Sequence, residues 1–141
     1  MGIRASENGC GFSLLIADRE AAFRQQFEGL FRAEGYRTHL AGDDMAVVRI
    51  VERERIDVAV LDFELPHAGG VDALRAIRGV VGRRLPCVFT AAEVSGRVQM
   101  SALAEDAFSV VPKPVAGDLL RRVVRTALRR YYPWATGSEG S

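Results

Sequence analysis

Ile56-Asp57-Val58-Ala59-Val60-Leu61-Asp62-Phe63-Glu64-Leu65-Pro66, continued by His67-Ala68-Gly69-Gly70, is the stretch on which the fold turns. Val58 to Leu61 is apolar at every position. That pattern marks a strand covered on both faces, as in a parallel sheet, rather than the alternation of a half-exposed strand. The run stops at the carboxylate of Asp62, and Pro66 and the Gly69-Gly70 pair bar its continuation. Asp62 then stands at the carboxyl end of the strand, where open α/β sheets place their ligand sites.

The same unit recurs on either side of it. Leu14-Leu15-Ile16-Ala17 is a first buried strand ending at Asp18, and Phe23, Phe27, Leu30 and Phe31 follow at helical spacing, closed by Gly35. Tyr36 to Ala41 is a second strand, with Asp43 or Asp44 placed to cap a helix whose apolar face is made by Met45, Val48 and neighbours such as Val51. After Asp62 a third helix runs from about Val71 to Arg78. Pro86-Cys87-Val88-Phe89-Thr90 is a fourth strand, and a weak, mobile helix covers about Ser95 to Ala104. Phe108-Ser109-Val110-Val111 is a fifth strand, ending at Pro112-Lys113-Pro114. Asp118 to about Tyr131 is a last amphipathic helix. Five alternations of strand and helix predict right-handed crossovers onto a parallel sheet with helices on both faces, a single-domain, doubly wound α/β fold.

Size and composition agree with one folded unit. The chain has 141 residues, 48% of them hydrophobic and 26% charged, with a formal net charge of +1. That is the composition of a soluble globular domain, and it gives no global field for nucleic acid or membrane. Residues 1–12 read as a flexible arm, 13–131 as the domain and 132–141 as a disordered tail. No apolar run reaches the roughly 20 residues of a membrane span. Cys10 and Cys87 match no metal spacing or disulfide framework, so a reducing cytoplasm fits. Of the 19 basic residues, all but Lys113 are arginine. A lone lysine marks a place that wants a compact, flexible ammonium rather than a generic positive charge.

Three strands of this reading end in chemistry, at Asp18, Asp62 and Thr90, and the fifth ends beside Lys113. In a doubly wound sheet these ends converge on one crevice. Singly, each is an ordinary helix cap, strand end or surface charge; their joint placement at like ends of separate strands is what points to a site.

With these residues in view the chain resembles the response-regulator receiver domains of two-component signalling over about residues 13 to 131. The acidic end of Leu14-Leu15-Ile16-Ala17-Asp18, the segment Asp62-Phe63-Glu64-Leu65-Pro66 with Gly70, Thr90-Ala91 and Lys113-Pro114 carry the resemblance. It implies a CheY-like, flavodoxin-like (βα)5 fold with strand order 2-1-3-4-5, acting through protein contacts and not as an enzyme. It implies that Asp62 accepts a phosphoryl group from a histidine kinase or phosphorelay protein. Thr90 then donates a hydrogen bond to that group, and Lys113 supplies a positive charge, usually ahead of a cis Lys113-Pro114 bond. It also implies Mg²⁺ held by Asp18, Asp62 and the backbone carbonyl of Glu64. Phosphoryl transfer spreads negative charge over several oxygens, so cations and hydroxyl donors belong there.

Three positions depart from the family. Arg19 stands where a second acid is usual, which weakens the metal site. Two dispositions of Arg19 are open: lying in the crevice to neutralise Asp18 and Asp62 in the metal's place, or swinging out to solvent. Val110 replaces an aromatic residue that turns inward on activation, and Gly69 replaces a residue that is often acidic. Asp62, Thr90 and Lys113 argue for phosphorylation, while Arg19 and Val110 argue against the usual switch. The alternative is a pseudo-receiver, a protein-interaction module working without phosphorylation. Asp62-x-Glu64 resembles the nucleophile motif of haloacid-dehalogenase phosphotransferases only faintly, since that motif belongs on a first strand.

Arg121, Arg122, Arg125, Arg129 and Arg130 crowd the last helix, followed by Tyr131-Tyr132-Pro133-Trp134. With net charge near zero and no helix-turn-helix signature, this is read as a face for a partner or a homodimer, not for nucleic acid. A downstream protein target is implied, with no membrane contact.

Overall fold

The computed structural model describes residues 11–135. The elements are β1 (Ser13–Ala17), α1 (Ala21–Arg32), β2 (Arg37–Ala41), α2 (Asp44–Arg53), β3 (Val58–Asp62), α3 (Gly70–Val81), β4 (Cys87–Ala91), α4 (Gly96–Ala104), β5 (Ser109–Pro112) and α5 (Gly117–Tyr131). The strands form one parallel sheet of order β2-β1-β3-β4-β5, as expected.

Side-chain alternation along the central strands builds two cores. Leu14, Ile16, Val58, Val60 and Val88 pack with Phe27 and Phe31 of α1 and Leu120, Val124 and Leu128 of α5. Leu15, Ala59, Leu61 and Phe89 face the other way, against Val47 and Val51 of α2 and Leu74 and Ile77 of α3. The continuous apolar run of β3 therefore has a cover on each face, and all five of its residues are buried. Cys87 sits in this interior as a free thiol, and burial pushes its pKa up.

The helix ends show which local signals prevailed. Asp43, not Asp44, caps α2, its carboxylate accepting from Ala46 N at 2.8 Å. Gly35, at φ 95°, lets the chain leave α1: Gly35 N donates to Arg32 O and Tyr36 N to Phe31 O. This is a Schellman closure, completed by the Phe31–Tyr36 ring contact at 5.3 Å. α3 begins at Gly70 and continues past Arg78 to Val81, where Gly82 at φ 71° stops it. α4 has 9 residues and buries only Val98 and Ala102.

Aromatic contacts close the two ends of the described chain. Phe12 and Tyr132 are both buried, with rings 5.6 Å apart, and the Tyr132 hydroxyl donates to Asp57 O at 2.8 Å. Ala135 also packs against this core. Of the expected arm and tail, residues 1–10 and 136–141 lie outside the described residues.

Burial of Tyr36 raises its phenol from 10.0 to about 12, with Arg125 lowering it and Glu34 raising it to lesser extents. A raised folded-state pKa gives stability that is complete below pH 10 and is lost as pH climbs through about 12. Over that interval the chain should lose about 2–3 kcal/mol more than its Tyr36→Phe variant in denaturant titrations. Equal losses would show that Tyr36 is not the group titrating.

Candidate functional site

Parallel pairing brings the chemistry-bearing strand ends together. Asp62 and Thr90 are register partners on β3 and β4, and Asp18 directly follows Ala17 of β1, the neighbour of Leu61. Asp18, Asp62 and Thr90 are 0%, 3% and 0% exposed, so the crevice holds two carboxylates and a hydroxyl nearly out of water. Buried charge requires a partner, and Lys113 provides it. Its Nζ lies 2.7 Å from Asp18 Oδ2 and 3.3 Å from Asp62 Oδ2. The lone lysine is thus the residue that bridges both acids.

The other carboxylate oxygens are held by the backbone turning past each strand. Asp18 Oδ1 accepts from Glu20 N at 2.8 Å and Asp62 Oδ1 from Glu64 N at 3.0 Å. Lys113 is positioned by its own amide, which donates to Ala91 O at 2.8 Å, and by the Phe23 ring, 5.0 Å from Nζ. Partial burial works to lower the Lys113 pKa, but hydrogen bonding and Coulomb attraction from Asp18 and Asp62 outweigh it and hold the net value above the usual one. The Lys113–Pro114 bond is cis.

Thr90 differs from its neighbours. Its Oγ1 is buried and has no hydrogen-bond partner among the described residues. Leaving such a hydroxyl unmade costs about 1–3 kcal/mol, which an arriving acceptor would offset.

Arg19 is exposed and makes no hydrogen bond or ion pair with any described residue. Successive residues of an extended segment project to opposite sides, so burying Asp18 turns Arg19 away. Of the two dispositions open in the sequence, the structure takes the solvent one. Two carboxylates against one ammonium leave a surplus of one negative charge. Among the described residues no three acidic, imidazole or thiol groups gather as metal ligands. Asp18, Asp62 and a backbone carbonyl nonetheless fit a hard divalent ion that keeps most of its waters.

Three residues of the site escaped the sequence reading as site residues. Phe23 reads only as core. Arg24, one position on, donates from Nη1 to Asp18 O at 2.6 Å and packs on Gly42. Gly70 is required by contact: a Cβ there would lie 2.4 Å from Asp62 O. Gly69 has φ 94°, a conformation that favours glycine and accounts for the missing acid.

A family model described as response regulator receiver domain matches residues 14–125. The response regulator MprA of Mycobacterium leprae is 31% identical over 120 residues, which cover 85% of this chain and 52% of that protein. MprA of Mycobacterium tuberculosis is 30% identical over the same length and coverage. The chain spans about half the length of these curated relatives. Among solved structures, Vibrio cholerae chemotaxis protein CheY4 superposes with a TM-score of 0.79 at 21% identity, covering 83% of this chain and 98% of that one. A two-component response regulator from Clostridium difficile gives 0.80 at 21% identity, covering 86% and 98%. At these identities the likeness to the solved structures concerns the fold.

Proposed function

The chain belongs to the response-regulator receiver family, and on that premise we propose that Asp62 accepts a phosphoryl group from a phosphohistidine on a histidine kinase or phosphotransfer protein. An Asp62 carboxylate oxygen attacks phosphorus, the P–N bond breaks, and the leaving imidazole nitrogen takes a proton. The product is a mixed anhydride on Asp62. The orphaned Thr90 hydroxyl beside Asp62 carries this reading, since it is a buried donor waiting for an oxygen. Lys113, already 3.3 Å from Asp62, neutralises charge on the incoming group. Exposure to phosphoramidate followed by hydroxylamine trapping tests the assignment. A hydroxamate at Asp62 supports it; trapping at another carboxylate would overturn it.

Asp18, Asp62 and the Glu64 carbonyl would hold Mg²⁺, which when bound supplies further charge neutralisation to the phosphoryl oxygens. The missing acid leaves this site weak. Arg19→Asp should tighten Mg²⁺ binding about threefold in low-salt calorimetric titration, because an anion then replaces a solvent-facing cation beside the crevice without becoming a ligand. Unchanged affinity at low salt would show that the charge at position 19 is not felt by the ion.

Output passes through protein contacts, and no helix among the described residues is long and apolar enough to cross a membrane. A cytoplasmic site of action goes with this reading. On the α5 face, Arg121 and Arg125 pair with Glu34 at 3.0 and 3.2 Å while staying partly exposed. Arg122 and Arg129 remain exposed on α5 for a target or a second copy. Val110, half-buried in β5, favours the pseudo-receiver as second reading, because no aromatic ring is there to turn inward.

A further inference from the structure

A second polar site lies at the opposite end of the sheet. A cleft of about 830 Å³ opens between the β3 and β4 entrances and the end of α5. Its lining includes Arg55, Arg83, Arg84 and Arg130 with a single acid, Asp106, and the aromatic rings of Tyr131 and Trp134. Arg83 donates to Ile56 O at 2.6 Å, immediately ahead of β3, whereas Asp62 ends that strand. Five residues of strand, roughly 16 Å, separate the cleft from the phosphoryl acceptor.

The charges in this cleft are unevenly matched. Arg55 pairs with Asp57, and Arg84 with Asp106. Among the described residues no carboxylate lies within ion-pair distance of Arg83 or Arg130. Arg83 spends two donors on Tyr132 Oη and Ile56 O, leaving others of its fork free. Arg130 rests over the Phe108 ring at 5.7 Å and makes no hydrogen bond with a described residue. Two uncompensated guanidinia in one concavity favour a multiply charged oxyanion, the geometry for which the planar fork is suited.

Trp134 supplies the other half of the recognition. It is 78% exposed, meets Tyr132 at 82°, and is the only tryptophan in the chain. A large ring held in water in the same cleft as two arginines without carboxylate partners can serve as a stacking platform for a base. The volume suits a small molecule, and the net charge of +1 argues against a nucleic-acid strand. We propose that this cleft binds a nucleotide, with its phosphates on Arg83 and Arg130 and its base stacked on Trp134.

Because Trp134 is unique, its fluorescence reads the cleft directly. ATP and GTP are titrated in EDTA-containing buffer, with inorganic phosphate and guanosine as partial ligands and calorimetry as the second readout. Saturable quenching by a nucleotide, at least tenfold tighter than by either fragment, is the expected result. Arg130→Glu should weaken it about tenfold or more, while Arg122→Glu, an equal charge change on an exposed part of α5, leaves it unaltered. Trp134→Leu should weaken the calorimetric affinity and leave phosphoryl acceptance at Asp62 intact. Circular dichroism confirms that each variant is folded. Phosphate alone binding as well as nucleotide, equal loss in the Arg130 and Arg122 variants, or no saturable response would overturn the proposal.

Discussion

Lys113→Ala is expected to lose about 3 kcal/mol of folding stability and to slow phosphoryl acceptance by roughly 10²–10³-fold. Asp18 and Asp62 have side chains 0% and 4% exposed, and both depend on the same ammonium. Deleting it leaves two buried carboxylates facing each other, and breaking a buried pair is far costlier than never having built one. Thermal melting should fall by roughly 10 °C for a domain of this size. Millimolar Mg²⁺ should then restore part of the loss, because a divalent ion that binds only the folded crevice stabilises it by mass action. Lost packing on Phe23 would destabilise too, but metal would not repair it. A variant as stable and as reactive as the parent would show that the ammonium is incidental.

Gly70→Ala is expected to cost about 2–3 kcal/mol, although it adds one methyl group at the start of a helix, where alanine is ordinarily preferred. The new Cβ would meet Asp62 O at 2.4 Å and Phe63 Cα at 3.0 Å, both backbone atoms that cannot rotate away. Gly70 N also donates to Phe63 O at 3.0 Å, so the first turn of α3 is clasped to the end of β3. Relieving the clash means moving α3 or moving Asp62. Phosphoryl acceptance should therefore fall even at temperatures where the variant is folded. Gly79→Ala is the internal control: same helix, same substitution, and nothing within 4 Å of the new Cβ. It should stabilise by about 0.5–1 kcal/mol. Equal effects from the two in denaturant titrations would refute the steric account.

The sequence makes the sheet legible because a fully buried parallel strand leaves an unbroken apolar run, and β1, β3 and β4 each carry one. The same logic places Asp18, Asp62 and Thr90 at like ends, since each follows directly on such a run. Lys113 stands out through its isolation among arginines. What the chain does not show in one dimension are the choices made by side chains in space. The direction taken by Arg19 follows from burying Asp18, which a list of residues does not state. The engagement of Arg121 and Arg125 by Glu34 joins α5 to the end of α1, across most of the chain. A basic helix face thus looks open in sequence when two of its five arginines are paired with Glu34. The closures made by Phe12 and Tyr132 lie at segment ends whose Gly, Pro and polar neighbours dilute the apolar signal. Gly70 reads as a strand breaker, but its actual constraint is the approach of Asp62 O.

The most direct test of the central claim is the intact mass of the chain after incubation with a small-molecule phosphodonor, with Mg²⁺ and with EDTA, beside Asp62→Ala. A single phosphoryl adduct on the parent, more abundant with Mg²⁺ and missing from the variant, is the result expected of Asp62 flanked by Thr90 and Lys113. No adduct on a folded parent under either condition, or an adduct that persists in Asp62→Ala, would contradict it.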